Sequence, residues 1–212
     1  MWNPDDMTKN FFQEGQRLWM KHPKGWTHWD MPEKFSLVST HPALLMLTAE
    51  ILLSPWVPST KTDFPYSRAM GTQASLAFSA GTDSTAASFV MPKNTILGYH
   101  RRNFSSQLNH KNASRLLNYM GGTMHKNILD VASNHELLRT YHYKQIGFST
   151  DFACATHLIL LADANDNGAI GVGMVLDNTW LWKGRKFREF PQTTYYQYWK
   201  KRFTDAGLDL LF

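Results

Sequence analysis

Only one cysteine, Cys154, stands among the 212 residues, so the chain can form no internal disulfide and no all-cysteine metal site. No run of about 18 uncharged apolar residues occurs, and no membrane-spanning helix is expected. The opening residues, Met1-Trp2-Asn3-Pro4-Asp5-Asp6, lack a basic stretch followed by an apolar one, the pattern of a secretory signal. A cytoplasmic location with no membrane partner is therefore the default expectation. Gly-Lys-Ser/Thr and G-x-G-x-x-G are both missing, which sets aside a Walker loop and the dinucleotide fingerprint. The nine histidines include no H-E-x-x-H. His135-Glu136 with His142 is not a zinc pair on one helical face, so no structural metal is expected.

What is present fits a globular chain. Hydrophobic residues make up 43% and aromatics 14%, enough for a packed core, and the length suits one domain with at most a small appendage. The net charge of +5 is mild and suits a polyanionic ligand such as a nucleotide or a nucleic acid. Its distribution is uneven. Lys183, Arg185, Lys186, Arg188, Lys200, Lys201 and Arg202 stand against the single acid Glu189, a basic C-terminal stretch that is either a solvated face, a nucleic-acid patch or a loop that closes on a polyphosphate.

Hydrophobic periodicity divides the chain. Residues 1 to about 35 are rich in Trp and Met and are interrupted by Gly15, Pro23, Gly25 and Pro32. They read as an irregular or helical N-terminal cap whose tryptophans, Trp19, Trp26 and Trp29, anchor packing or, alternatively, stack on bases. His41–Leu53 reads as a buried helix. Then strands and helices alternate: Leu76–Phe78, Thr95–Tyr99, Asn127–Val131 and Ala169–Leu176 as strands, with helices at Ser105–Met120, from Asn134 and over Asp151–Asn165. That alternation implies an α/β fold with an open, mostly parallel, Rossmann-like sheet flanked by helices. The expected organisation is a cap and lead-in helix over 1–70, a core over 71–182 and a basic segment over 183–212. The apolar end, Gly207–Phe212, is expected to dock on the core or to pair with a second subunit as a homodimer, or else it marks a chain that once continued.

The most informative stretch is Leu76–Ala87, L-A-F-S-A-G-T-D-S-T-A-A. An apolar strand ends in small residues and hydroxyls, and a helix starts at once. Such a turn points backbone N–H groups into one concavity at the positive pole of a helix, an anion site for which phosphate is the usual occupant. Asp83 there is either a ligand-side carboxylate or a helix cap.

Ser79-Ala80-Gly81-Thr82-Asp83-Ser84 resembles the S-G-G-x-D-S signature of the PP-loop ATP pyrophosphatase superfamily, whose fold is adenine nucleotide alpha-hydrolase-like. Ala80 replaces the first glycine, adding a Cβ where φ > 0 or close approach to phosphate calls for none. Gly171–Asn178 looks like a degenerate form of the family's later nucleotide-side motif, with Gly173 and Asp177 at matching spacing, and Asp130–Arg139 also looks family-like. The resemblance spans roughly Leu76 to Asp177. It implies binding of ATP with Mg²⁺, adenylylation of a substrate oxygen with loss of pyrophosphate, and transfer to an unknown second substrate. It assigns phosphate contacts to Ser79, Ala80, Gly81, Thr82, Asp83 and Ser84, and the metal to Asp83. Tyr99 and Gly173 would lie beside the nucleotide, Asp177 would act with Asp83 in catalysis, and Lys183 and Arg185 would close on the triphosphate. His100, Arg101 and Arg102 follow the second strand on the ligand edge. Cys154, inside an apolar pattern, reads as core.

Overall fold

A computed structural model describes residues 2–3, 5–57, 65–105, 110–143, 145–173 and 187–211. Eight strands form one mixed sheet: β1 (Phe11–Glu14), β2 (Arg17–His22), β3 (Gly25–Asp30), β4 (Gln73–Ala77), β5 (Ile96–Arg102), β6 (Asn127–Ser133), β7 (Asn167–Val172) and β8 (Asp209–Leu211). Their order is β1-β2-β3-β6-β5-β4-β7-β8. The pairs among β6, β5, β4, β7 and β8 are parallel, whereas β1, β2 and β3 pair antiparallel and join the sheet through β6. Six described α-helices flank it: α1 (Pro42–Leu53), α2 (Thr82–Val90), α3 (Lys111–Gly122), α4 (Leu137–Tyr143), α5 (Thr156–Leu160) and α6 (Thr194–Asp205). Among the described residues no helix is long and apolar enough to cross a membrane.

The expected N-terminal cap is instead a three-stranded antiparallel extension of the sheet. Residues 17–22 alternate half-buried and buried, a period of two that no helix can use. Gly15, with φ +57°, supplies the left-handed residue that closes the β1–β2 hairpin. The glycines and prolines that break up this region are therefore hairpin punctuation.

Alternation also divides the core into two layers. Leu76, Phe78, Leu97 and Tyr99 meet Leu117 and Met120 of α3 on one face. Ala77, Val131, Ile170 and Val172 meet α1, α5 and α6 on the other, together with Leu18, Met20 and Trp29 of the hairpins. Helix α1 is buried from Ala43 to Leu53 and apolar except for Thr48 and Glu50, whose carboxylate is met by Tyr198 and Arg202 of α6. Pro42 occupies its first turn and the His41 side chain accepts from the Ala43 N–H. The long helix expected over Asp151–Asn165 is shorter: a 3₁₀ turn at Ala153–Ala155 leads into α5. The apolar C-terminal end docks on the core, with β8 pairing parallel to β7.

Numbered from β4, the parallel strands run third, second, first, fourth, fifth across the sheet. Chain order reverses between β4 and β7, and crevices at such switch points, outside the carboxyl ends of the strands, are where open α/β sheets bind ligands.

Candidate functional site at the switch point

Ala77, Gly98 and Val172 lie in one row across β5, β4 and β7. Just beyond that row is a cavity of about 370 Å³, lined by Phe78, Ser79, Tyr99, Arg102, Glu136 and Gly173 among others. Its size falls in the range of small-molecule sites. Three of the residues expected from sequence, Ser79, Tyr99 and Gly173, meet on its wall.

The Ser79–Ser84 turn has the expected strand–turn–helix form. Ala80 adopts φ +60°, the left-handed region that disfavours a Cβ. Ala80→Gly should therefore raise stability by about 1 kcal/mol, read as the midpoint of urea unfolding. The turn is held by its own hydroxyls. Ser79 Oγ and Ser84 Oγ are 3.1 Å apart, Ser84 Oγ donates to the Gly81 carbonyl at 3.1 Å, and the Gly81 N–H donates to Ser79 Oγ at 3.3 Å. Gly81 is the N-cap of α2 and no side chain caps the helix. The first-turn amides of Thr82, Asp83 and Ser84 therefore carry no side-chain cap and stand at the positive pole. Asp83 is exposed in the first turn and is not the cap. Gly173 passes so close to α2 that a Cβ there would sit 3.3 Å from Ser84 Cα. This contact puts the end of β7 beside the helix start.

The wall opposite joins Arg102, which the sequence places on the ligand edge, to a carboxylate that the sequence reading did not assign to the site. The Arg102 guanidinium pairs in bidentate fashion with Glu136, Nε to Oε1 at 2.9 Å and the second nitrogen to Oε2 at 2.7 Å. The Glu136 side chain is only 3% exposed, and His100 Nδ1 lies 3.5 Å from its Oε1. Behind it the rings of His100, His135 and His157 are packed together, His100 and His135 with centroids 4.3 Å apart. Burial holds His100 well below the usual imidazole range, His135 down to about 3 and His157 down to about 4, so all three are neutral. Cys154 also faces the cavity, and burial pushes its thiol up to about 12, which keeps it protonated and unreactive. Tyr99 lines the cavity while its hydroxyl is 2.6 Å from His110 Nδ1. Arg101, on the same face of β5 as Tyr99, lies over the Tyr99 ring at 5.3 Å and pairs with Asp130.

Glu136, read from sequence only within the family-like stretch Asp130–Arg139, was not assigned to the site because its partner lies 34 positions away, and the β5–β6 register brings the two together. Asp177, Lys183 and Arg185 lie outside the described residues. Among the described residues no group of three or more His, Cys, Asp or Glu side chains is arranged to hold a metal ion.

Fold and site together define an α/β protein with a crossover-point cavity between a helix start and a buried ion pair. Comparison of the chain with family models, with curated proteins and with solved structures finds no match.

Proposed function

We propose that the protein is an ATP-binding enzyme of the PP-loop type, which adenylylates a substrate oxygen and releases pyrophosphate. The observation that carries this reading is the uncapped start of α2 beside a cavity of about 370 Å³ at the crossover of the parallel sheet. The amides of Thr82, Asp83 and Ser84, with the turn from Ser79 through Ala80 and Gly81, would hold the leaving pyrophosphate. The nucleoside would fill the cavity between Tyr99 and Gly173. A substrate oxygen attacks the α-phosphorus in line, the bond to the bridging oxygen breaks, and pyrophosphate leaves with the electron pair. Positioning and charge neutralisation supply the rate. Asp83 alone is too little to hold magnesium, so the ion would arrive on the phosphates and supply counter-charge there. Asp177, Lys183 and Arg185 complete the proposed site, with Asp177 acting on the substrate side.

A second reading, nucleotide binding without turnover, draws on Ala80, whose Cβ stands at the left-handed position of the turn. One experiment separates the two. ATP with magnesium should raise the thermal midpoint, by about 2.7 kcal/mol of stability at a hundredfold excess over Kd, and Asp83→Ala, which keeps the amide but loses the carboxylate, should reduce the shift. Release of AMP and pyrophosphate on adding a substrate then supports turnover, and a shift without release supports binding alone. No shift at millimolar ATP overturns both.

A further inference from the structure

The outer face of β1–β3 carries an aromatic cluster that the site at the crossover does not use. Successive residues of a strand point to opposite faces, so Phe12, Trp19 and Trp26 share the face opposite Leu18, Met20 and Trp29. Helices α2 and α3 pack on this side of the sheet over β4 to β6, and no described helix covers it over β1–β3. Phe12 is 36% exposed and Trp26 43%. Phe12 lies parallel to Trp19 with centroids 6.1 Å apart and meets Trp26 edge-on at 5.2 Å. Large rings grouped on an open sheet face in water point to a ligand with flat apolar faces.

The charges around the rings narrow the ligand. Arg17 lies over Trp19 at 5.6 Å and Lys21 over Trp26 at 5.0 Å. The two carboxylates of this face are already engaged, Glu14 by the Trp19 indole N–H at 3.1 Å and Asp30 by Arg17 at 2.6 Å. Among the described residues Lys21 has no carboxylate partner. The Trp26 end of the face is therefore aromatic and cationic. A glycan could lie on the rings but would leave the Lys21 ammonium over Trp26 without counter-charge. A chain that alternates flat bases with phosphates satisfies rings and cations together.

We infer that the outer face of β1–β3 binds single-stranded nucleic acid, with bases stacking on Trp26, Phe12 and Trp19 and a phosphate meeting Lys21. The site is independent of the nucleotide cavity and does not rest on the ATP reading. Fluorescein-labelled oligouridine and oligothymidine, titrated with the full chain and followed by anisotropy and by tryptophan quenching, test it. Binding should weaken with salt with a slope near about −0.7, the value for one neutralised phosphate. Trp26→Ala and Phe12→Ala should each weaken it about tenfold. Lys21→Gln should reduce the salt slope by about 0.7. The thermal midpoint of each variant should stay close to that of the parent, because these side chains are exposed. Asp83→Ala and added ATP should leave the affinity unchanged.

Four outcomes overturn the inference. They are no binding at low salt; affinity unchanged in the ring variants but lost when Lys183, Arg185 and Lys186 are replaced by glutamine; equal affinity for duplex; and quenching by a soluble cellooligosaccharide in place of the oligonucleotide.

Discussion

Glu136→Ala should destabilise the protein by about 3 to 5 kcal/mol, the usual cost of removing one partner from a buried ion pair. The carboxylate is almost wholly buried and accepts two charge-assisted hydrogen bonds from Arg102. Deleting it leaves a half-buried guanidinium with neutral His100 as its remaining neighbour on that side. Glu136→Gln keeps the shape and one acceptor oxygen, so it should cost less than alanine. Replacing the pair together, Arg102→Met with Glu136→Leu, removes both charges and should recover most of the loss. The measurement is urea unfolding of these three variants and of the single replacements Arg102→Met and Glu136→Leu at neutral pH, with the slope against urea checked for constancy. A double-mutant cycle then gives the coupling between the two residues. If Glu136→Ala costs under about 1 kcal/mol, the range of exposed pairs, the pair is not closed in solution and the cavity wall is not built as described.

That pair also shows what a single sequence can and cannot disclose. The parallel core was legible because each strand there is a short apolar run next to a turn signal, and because helix and strand periods alternate from Leu76 onward. The Ser79–Ser84 turn was legible for the same reason: a strand, small residues and a helix start are all local features. The N-terminal strands were missed although their signal was local too. Arg17-Leu18-Trp19-Met20-Lys21-His22 alternates by two, but every second residue is large on both faces, and the aromatic content masked the alternation. The outer rings Phe12, Trp19 and Trp26 look like core residues when read as composition. Only the pairing Phe12↔Trp19 and Lys21↔Trp26 separates them from the buried Trp29. The Arg102–Glu136 pair and the three packed histidines carry no sequence signal at all. They are products of register between β5 and β6 and of α5 lying against Gly98, where a Cβ would meet Leu158 at 2.4 Å. Long-range register cannot be read from periodicity.

The packed histidines predict a steep loss of stability in acid. His100, His135 and His157 are neutral in the folded protein because burial penalises their charged forms; the neighbouring rings and Arg102 add to this at His100, and His157 adds to it at His135. In the unfolded chain each titrates near 6.5. Between those two values the unfolded state binds more protons than the folded one, so stability rises with pH there and falls as the medium is acidified. The contribution is fully present above about pH 6.5. It is lost as pH drops from there toward 4 for His157 and toward 3 for His135, and no further loss from these groups follows below. For His157 alone the shift from 6.5 to about 4 corresponds to about 3 kcal/mol. Three such groups act together at up to about 4 kcal/mol per pH unit, which exhausts the stability of an ordinary domain within about two units. Acid unfolding followed by circular dichroism should therefore have its midpoint between about pH 4 and 5. His135→Phe and His157→Leu remove titrating groups while keeping apolar volume beside Trp29, Phe148 and Leu158. Each should shift the midpoint to lower pH and flatten the dependence of stability on pH between 4 and 6, even where it costs some packing at pH 8. A parent protein that keeps its full stability down to pH 4 would mean that these rings take up protons in the folded state, and the wall behind Glu136 would then be open to water.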